Sequence, residues 1–201
     1  MPRQALLLFV KNPIPGRTKT RLAASVGDAM ALRMYHQLCA WTRRQAAGLT
    51  GVDPFVYYSN TITADDDWPN DRFTKRLQHP GGLGERLAAG FAEAFVAGYE
   101  RVIVTGSDCP GIDTDYLEAA FAGLDAHDVV IGPALDGGYT LLGLRQPAPE
   151  LFKGIAWSTD TVLTATLSQA AAAGRSVHQL APLSDVDHIE DWHHYGWPLP
   201  T

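Results

Sequence analysis

The length, composition and charge of the chain already exclude several classes of protein. Its 201 residues are enough for one substantial hydrophobic core, and we expect a single domain over residues 1–201. The 46% hydrophobic and 19% charged content excludes a disordered or collagen-like chain. The net charge of −6 argues against a general nucleic-acid or anionic-membrane surface, because such surfaces need a surplus of Lys and Arg.

The first predicted element is a buried strand from Ala5 to Val10. This apolar run is too short for a signal-peptide core or a membrane span, and no small-residue cleavage site follows it. Gly, Asp and Arg interrupt the other apolar stretches, so we expect no membrane span. The two cysteines, Cys39 and Cys109, provide neither a metal-binding quartet nor a disulfide framework. A reducing cytoplasm is therefore the predicted location.

A basic loop follows this strand, from Lys11 to Leu22. Its prolines and Gly16 predict irregular structure and allow a ligand to approach the backbone closely. Its four cations stand out in an acidic chain and suit phosphate oxygens, so we expect a polyanion here. A solvated basic turn is the alternative. The phosphate loop of NTPases is excluded, because Thr18 rather than glycine precedes Lys19 and Pro13 stands where the upstream glycine belongs.

The strands and helices predicted beyond this loop alternate. They are a helix from Asp28 to about Ala47, strands Pro54–Tyr58 and Phe73–Gln78, a helix from Leu83 to near Gly98, strand Arg101–Thr105, a short helix capped by Asp113 or Thr114, strands Val129–Gly132 and Tyr139–Leu144, a helix from about Thr159 to Ala173, a strand around Val177–Leu180 and a last helix from Asp187. The acidic segment Asn60–Asp71 is predicted as a solvated surface loop rather than a metal site. The alternation implies a mainly parallel sheet covered on both faces, with ligands bound outside the carboxyl ends of its strands.

Asp108 is a second candidate for chemistry, because it follows the end of the apolar strand Arg101–Thr105. Hard divalent cations such as Mg²⁺ and Mn²⁺ prefer oxygen ligands and bridge to substrate phosphates. A carboxylate at a strand end beside a nucleotide site is well placed to hold one. The alternative is that Asp108 only caps the following turn. Its neighbour Cys109 is interpreted as a buried residue, since no base partner for a nucleophile is indicated.

Three further segments carry weaker signals. The paired glycines after Asp136 let a ligand come close, but Asp-Gly is also a hairpin signal. Asp185 and Asp187 form an acidic pair that either brings a second carboxylate to the metal or caps the last helix. The glycine-rich helix start at Gly81–Arg86 offers free backbone N–H groups to a base edge or a phosphate.

Together these motifs resemble a known family. The motifs are Lys11–Leu22, Gly82–Leu87, Gly106–Pro110, Asp136–Leu144, Trp157–Thr159 and Asp185–Asp191. Over nearly the whole chain they resemble a bacterial family of GT-A-like glycosyltransferases of unassigned substrate, formerly a domain of unknown function of the DUF2064 type. The chain is similar, more distantly, to phospholactate guanylyltransferase and the molybdenum-cofactor nucleotidyltransferases. The resemblance implies the nucleotide-diphospho-sugar transferase fold, a three-layer αβα sandwich with a mainly parallel mixed sheet.

The resemblance also implies roles for individual residues. The residues implied to bind the nucleotide are Lys11, Pro13, Gly16, Lys19, Thr20 and Arg21, with Gly84, Glu85 and Arg86 near the base or ribose. Asp108 and Asp187 would hold Mg²⁺ or Mn²⁺. Lys19 is expected to act in catalysis by stabilising the leaving phosphates, and Asp136 is the candidate general base.

Two positions depart from the patterns of the relatives. Sugar transferases of this fold usually carry an Asp-x-Asp pair at the metal strand. Ser107-Asp108-Cys109-Pro110 has a single Asp and looks more like the nucleotidyltransferases. His188 stands where relatives tend to have Thr.

The sequence leaves three functions open. The first is metal-dependent glycosyl transfer from a nucleoside diphosphate sugar to a small-molecule acceptor of unknown identity. The second is nucleotidyl transfer from an NTP to a phosphorylated or acidic acceptor, with Lys19 and Arg21 neutralising the departing pyrophosphate. The third is a nucleotide-binding protein without turnover, since fold does not imply function. No nucleic-acid partner is expected, and an oligomer is compatible with the sequence.

Overall fold

The computed structural model describes residues 2–200, in which seven strands and six α-helices alternate along the chain. The strands are β1 (Gln4–Val10), β2 (Val52–Tyr58), β3 (Thr74–Leu77), β4 (Arg101–Gly106), β5 (Val129–Pro133), β6 (Tyr139–Leu144) and β7 (Val177–Gln179). The helices are α1 (Thr20–Val26), α2 (Asp28–Gly48), α3 (Leu83–Val96), α4 (Thr114–Ala126), α5 (Val162–Ala172) and α6 (Ile189–His194), with a 3₁₀ turn at Pro149–Phe152. Met1 and Thr201, the ends of the expected domain, lie outside the described residues. Across residues 2–200, no helix is both long enough and apolar enough to span a membrane.

The strands form one sheet in the order β3-β2-β1-β4-β6-β5-β7. Neighbouring strands are parallel except at β6, which runs antiparallel to β4 and β5. The expected mainly parallel mixed sheet is therefore confirmed. Strands β5 and β6 are joined by a tight turn in which Ala134 N donates to Gly138 O at 3.0 Å. The hairpin interpretation of Asp136-Gly137 is thus also confirmed.

Helices cover both faces of the sheet, because its interior strand β1 is apolar on both sides. In β1, Leu6 and Leu8 pack in a cluster with residues of α2 and α4, whereas Ala5 and Leu7 pack with residues of α3 and α5. Burial on both faces is typical of a central parallel strand. The three-layer αβα sandwich is confirmed.

Helix α1 is the main element that the sequence does not predict, because the prolines and glycine before it suggest a loop as far as Arg21. The helix begins at Thr20 and buries Leu22 in a cluster with Met34 of α2 and Trp192 of α6. A seven-residue helix is too short to be stable alone, so this tertiary packing stabilises it. The same cluster holds the C-terminal segment close to the basic loop.

Three predictions about individual segments need correction. Helix α5 begins at Val162 rather than near Thr159, and α6 begins at Ile189 rather than at Asp187. The acidic segment is not wholly solvated. Asp66 accepts a hydrogen bond from the hydroxyl of Tyr58 and one from Lys75 Nζ, the latter at 2.7 Å, and Trp68, two residues later, is buried.

The carboxyl ends of β1 and β4 lie side by side near the middle of the sheet, where residue Phe9 pairs with Gly106. The basic loop leaves β1 at this edge, and the segment containing Asp108 leaves β4 there. The C-terminal segment reaches the same place, since Val186 N donates to Asp108 O at 2.9 Å. Three segments distant in sequence therefore meet at the edge where such sheets bind ligands.

Candidate active site

Hydrogen bonds hold the backbone of the basic loop in a defined conformation. Thr18 Oγ1 donates to Asn12 O at 2.9 Å and accepts from Ile14 N at 3.1 Å. The Tyr35 hydroxyl donates to Lys11 O at 2.8 Å and accepts from Lys11 N at 2.9 Å. The cations of the loop are therefore presented from a fixed backbone rather than from a disordered turn.

Lys19 differs from the other cations of the loop because its side chain is only 3% exposed. Its ammonium donates to Val186 O at 2.6 Å and lies 3.2 Å from Asp108 Oδ2 and 3.5 Å from Asp187 Oδ1. The ammonium therefore has one backbone hydrogen bond and two carboxylates within ion-pair distance. The Lys19 backbone is left-handed (φ 54°, ψ 47°), which costs a non-glycine residue about 1–3 kcal/mol. The buried contacts of the side chain hold it in that conformation.

The two carboxylates bound to Lys19 remain partly open to solvent. The side chains of Asp108 and Asp187 are 29% and 43% exposed. The exposed Arg21 places Nη1 2.8 Å from Asp187 Oδ2. Two cations and two carboxylates therefore contact one another. We call these four residues, Lys19, Arg21, Asp108 and Asp187, the ion-pair cluster.

Asp187 belongs to the ion-pair cluster and does not cap the last helix. At the start of α6, Asp191 Oδ2 accepts from the backbone N–H groups of Asp187 and His188, at 3.0 and 2.7 Å. The carboxylate of Asp187 is instead turned to Lys19 and Arg21. The side chain that caps the last helix is therefore that of Asp191.

Asp185 is a third carboxyl group beside the ion-pair cluster. Burial raises the pKa of Asp185 to about 7, and the negative charges of Asp108 and Asp187 also raise it, whereas Lys19 lowers it. Its carboxyl group therefore holds a proton more readily than an ordinary carboxyl group does. It adds less negative charge to the cluster than an ordinary carboxylate would.

A cavity of about 490 Å³, which we call the main cavity, opens beside the ion-pair cluster. The loop after β1 contributes its basic side, formed by Lys11, Arg17 and Arg21. The β5–β6 turn, the start of β6 and the segment before α5 contribute an aromatic–acidic side, formed by Asp136, Tyr139, Trp157 and Asp160. The main cavity therefore combines cations suited to phosphate with carboxylates and aromatic rings suited to another kind of group.

Two glycines allow the aromatic–acidic side to form. A Cβ added to Gly84 would collide with the indole of Trp157, so the missing side chain lets the ring lie directly on the first turn of α3. Gly137 has φ +89° and approaches the backbone of Asp160 so closely that a Cβ would collide with its carbonyl. The β5–β6 turn is further tied to α5, since Leu163 N donates to Gly137 O at 2.9 Å. The two loops of this side are thus packed together.

A second cavity of about 250 Å³ adjoins the first and shares Lys11, Leu83 and Tyr139 with it. The ends of β1 and β4 contribute to it, and its lining is mostly apolar. Its polar groups include Arg86, which lies 3.3 Å from the side-chain oxygen of Gln78. This smaller cavity is suited to a flat, mostly apolar group with a few polar edges.

Several of the predicted site residues meet at these cavities. Those that line the main cavity are Lys11, Lys19, Thr20, Arg21, Asp136 and Asp187. Asp108 joins them through its ion pair with Lys19, and Arg86 lines the second cavity. The residues are separated by up to 176 positions in sequence, from Lys11 to Asp187, and the sheet edge brings them together.

Four other predicted residues have supporting contacts. Glu85 accepts from the N-cap N–H of α3 at 2.7 Å, and Gly84 lies beneath the indole. Gly16 turns the basic loop with φ +71°, and Pro13 lines a separate cavity of about 90 Å³. These positions shape the loop and the start of the helix, and direct contact of these residues with a nucleotide stays a prediction.

Sequence reasoning gave no individual role to several residues that line the main cavity, among them Leu83, Tyr139 and Asp160. Each lies inside or directly beside one of the motifs found in the sequence, and those motifs could have pointed to it. Nothing in the sequence alone shows that the segment before α5 reaches the β5–β6 turn. That contact depends on Gly137.

The donor set at the cluster fits a hard divalent cation in part. Within residues 2–200, no group of three or more His, Cys, Asp or Glu side chains is arranged to hold a metal ion. Asp108 and Asp187 offer two partly exposed carboxylates. Mg²⁺ is usually bound by one or two carboxylates together with waters and substrate phosphates rather than by a complete protein cage. The residues present fit such a shared site.

The chain is similar to several proteins of known structure. A protein of Desulfovibrio desulfuricans G20, provisionally named a nucleotide-diphospho-sugar transferase, is 33% identical, with a TM-score of 0.89 over 97% of this chain and 87% of that chain. CMP:2-keto-3-deoxy-manno-octonic acid synthetase complexed with CTP is 12% identical, with a TM-score of 0.55 over 96% of each chain. Rv0371C of Mycobacterium tuberculosis H37Rv, in complex with manganese, is 12% identical, with a TM-score of 0.53 over 96% of this chain and 98% of that chain. At 12% identity, the similarity to the last two proteins shows a shared fold and nothing more.

No curated protein matches the sequence. The family described as "uncharacterized protein conserved in bacteria (DUF2064)" matches residues 42–159. The matched segment includes Asp108, Asp136 and Trp157, and the likeness to the Desulfovibrio protein extends over nearly the whole chain. The fold is that of nucleotide-diphospho-sugar transferases, and the chain belongs to the DUF2064 family.

Proposed function

We propose that the protein is a metal-dependent glycosyltransferase that uses a nucleoside diphosphate sugar. The observation that carries the proposal is the main cavity, in which the basic side, the ion-pair cluster and the aromatic–acidic side meet. A glycosyl donor requires cations for its diphosphate, and an acceptor hydroxyl requires a base. The cavity offers both kinds of group.

The donor fits the two adjoining cavities together. Lys11, Arg17 and Arg21 are exposed cations that line the main cavity, and they suit the diphosphate. The base and ribose suit the smaller, mostly apolar cavity, where Arg86 provides polar donors. This assignment keeps the predicted order along the nucleotide, with the start of α3 near the base and the basic loop at the phosphates.

Asp108 and Asp187 would hold a Mg²⁺ or Mn²⁺ ion, which supplies charge neutralisation to the departing diphosphate when bound. Asp136 is the proposed general base, since its exposed carboxylate lines the main cavity. In the proposed step, an acceptor oxygen bonds to the anomeric carbon of the donor while the bond from that carbon to the diphosphate oxygen breaks. The nucleoside diphosphate leaves with the electron pair, and the hydroxyl proton passes to Asp136.

The aromatic–acidic side suits an uncharged acceptor that carries hydroxyl groups. Carboxylates of Asp136 and Asp160 can accept hydrogen bonds from hydroxyls, whereas they repel phosphate. The ring of Trp157 provides an apolar face beside them. This composition favours transfer to a hydroxyl over transfer to a phosphorylated acceptor.

Nucleotidyl transfer is the second candidate function. The single carboxylate in Ser107-Asp108-Cys109 and the buried Lys19 at 3.2 Å from it favour this chemistry, since sugar transferases of the fold usually carry two aspartates there. The acceptor oxygen would then bond to the α-phosphorus of an NTP while the bond to the β-phosphate oxygen breaks and pyrophosphate leaves.

A thermal-shift panel separates the candidates. Nucleoside diphosphate sugars and NTPs are each added with and without Mn²⁺, since a ligand of the native state raises Tm by mass action. Metal-dependent stabilisation by a nucleoside diphosphate sugar supports glycosyl transfer, and stabilisation by one NTP alone supports nucleotidyl transfer. If no nucleotide shifts Tm in either condition, both enzymatic proposals are wrong.

A product assay then tests turnover with the stabilising donor. Release of a nucleoside diphosphate in the presence of hydroxyl-bearing acceptors supports the first proposal, and release of pyrophosphate supports the second. The Asp136→Asn variant should bind the donor as the unmodified protein does and lose transfer. Binding without any turnover of donor across an acceptor panel would instead favour a nucleotide-binding protein without catalysis.

A further inference from the structure

The proposed cation site already contains cations of the chain itself. Lys19 lies 3.2 Å from Asp108 and 3.5 Å from Asp187, and Arg21 lies 2.8 Å from Asp187. Two positive groups thus face two carboxylates, and the formal charges of the ion-pair cluster cancel. A carboxylate pair that is neutralised in this way attracts an additional cation much less than a free pair does.

The ammonium of Lys19 is also not free to leave. Its side chain is 3% exposed, and it also donates a hydrogen bond to the backbone oxygen of Val186 at 2.6 Å. Removing its carboxylate partners by binding them to another cation would leave a buried charge poorly compensated, which is unfavourable. A divalent cation that arrives alone must therefore compete with a counter-cation that the fold holds in place.

Arg21 can respond to a ligand in a way that Lys19 cannot. Its side chain is 70% exposed, and the residue lines the main cavity beside Lys11 and Arg17. A bound diphosphate offers this guanidinium an alternative partner with bidentate geometry. The phosphates would then release one face of Asp187 and supply further oxygen ligands at the same time.

We propose that Lys19 and Arg21 are built-in counter-cations that prevent Asp108 and Asp187 from binding a divalent cation on its own. The carboxylate pair accepts the cation only together with the phosphates of a nucleotide. This inference rests on the proposed metal role of the two carboxylates and adds an order to it. Nucleotide and cation then bind as one unit, and each strengthens the binding of the other by the same factor.

The test measures binding of Mn²⁺ without any nucleotide, by following the electron paramagnetic resonance signal of the free ion. The unmodified protein should bind Mn²⁺ weakly. The Lys19→Met variant, which keeps the length of the side chain and removes its charge, should bind the ion at least about tenfold more tightly. Lys153→Met is the matched control, because Lys153 is exposed and lines neither of the two cavities, and its variant has the same net charge. It should leave the affinity unchanged.

A second variant covers the case in which Lys19→Met does not fold, as judged by circular dichroism. Arg21→Met removes the exposed counter-cation, and it should also tighten Mn²⁺ binding, by a smaller factor. The inference is overturned if the unmodified protein binds Mn²⁺ as tightly as the folded variants do. It is also overturned if no protein binds Mn²⁺ alone, and the metal-dependent thermal shift with nucleotide then shows whether the metal role has failed as well.

Discussion

Two lysines of this protein are buried against carboxylates, and their surroundings differ. Lys75 on β3 is 8% exposed and donates to Asp66 Oδ1 at 2.7 Å, to Thr63 O at 3.0 Å and to Ala64 O at 2.9 Å. Lys19 has three partners as well, but two of them are ion-paired carboxylates that remain partly open beside the main cavity. The two sites have the same donor and the same number of partners.

The difference lies in what else the carboxylates bind. Asp66 is also held by the hydroxyl of Tyr58 and by Trp68 N at 3.0 Å, so its hydrogen-bonding capacity is used within the fold. Asp108 has no such additional protein donor among the hydrogen bonds of the described residues, and 29% of its side chain is exposed. A lysine–carboxylate pair therefore stabilises structure where its acceptors are saturated, and it can serve a ligand where they are not.

The strongest way to test this contrast is the Asp108→Asn substitution. Asparagine keeps the size of the side chain and removes the charge that is proposed to hold the metal, so kcat/KM should fall by about a thousandfold or more. Tm should fall only in part, because the buried Lys19 loses one carboxylate partner and retains Asp187 and Val186 O. Steady-state kinetics and a melting curve on the same sample give both values. Full activity of this variant would contradict the metal role.

Lys75→Met should lower the stability of the protein and leave nucleotide binding unchanged. Removing one partner of a buried pair leaves an uncompensated carboxylate, so the free energy of unfolding should fall by about 3 kcal/mol. Urea denaturation measures this loss. Nucleotide affinity of the folded fraction should be unchanged, since Lys75 lines neither of the two cavities proposed to bind the nucleotide. A loss of affinity with unchanged stability would remove the distinction between the two lysines.

Arg21→Met should chiefly weaken nucleotide binding, because its exposed guanidinium is the group that can turn from Asp187 to the phosphates. Loss of a hydrogen bond to a charged group should reduce the binding free energy by about 1.5–3 kcal/mol. Isothermal titration with a nucleoside diphosphate, without added metal, measures this change. An affinity equal to that of the unmodified protein would mean that Arg21 does not contact the phosphates.

Asp67→Asn should have the smallest effect, although Asp67 is the sequence neighbour of Asp66. Its side chain is 73% exposed and lies 3.8 Å from Arg43, so the stability change should stay within about 0.5 kcal/mol. The same urea experiment checks this value. A loss as large as that of Lys75→Met would show that the whole acidic turn, rather than Asp66 alone, anchors β3.

The sequence predicts the order of strands and helices well, because each buried strand is apolar and each long helix shows a periodic apolar face. It does not predict α1, whose formation depends on Leu22 packing against α2 and α6. The role of Asp66 is hidden for a similar reason. Its partners Tyr58 and Lys75 are known only once β2 and β3 pair.

The candidate site could be predicted in part. The strand-end position of Asp108 and the basic loop pointed to the edge of the sheet where both lie. The contact of Lys19 with Asp187 joins residues 168 positions apart, and no local pattern indicates it. Family resemblance indicated Asp187, whereas only the three-dimensional arrangement shows that its counter-charges come from the loop proposed to bind phosphate.

The contact between Gly84 and Trp157 has a consequence for the size of ligand that the protein can accept. Because the indole lies directly on the helix, its distance from the basic loop is set by the helix backbone rather than by a choice of side-chain rotamer. A methyl group at position 84 would move the ring and so alter the width of the main cavity. Members of the family that differ at this one position should therefore select substrates of different size, without any change in the residues that carry out the chemistry.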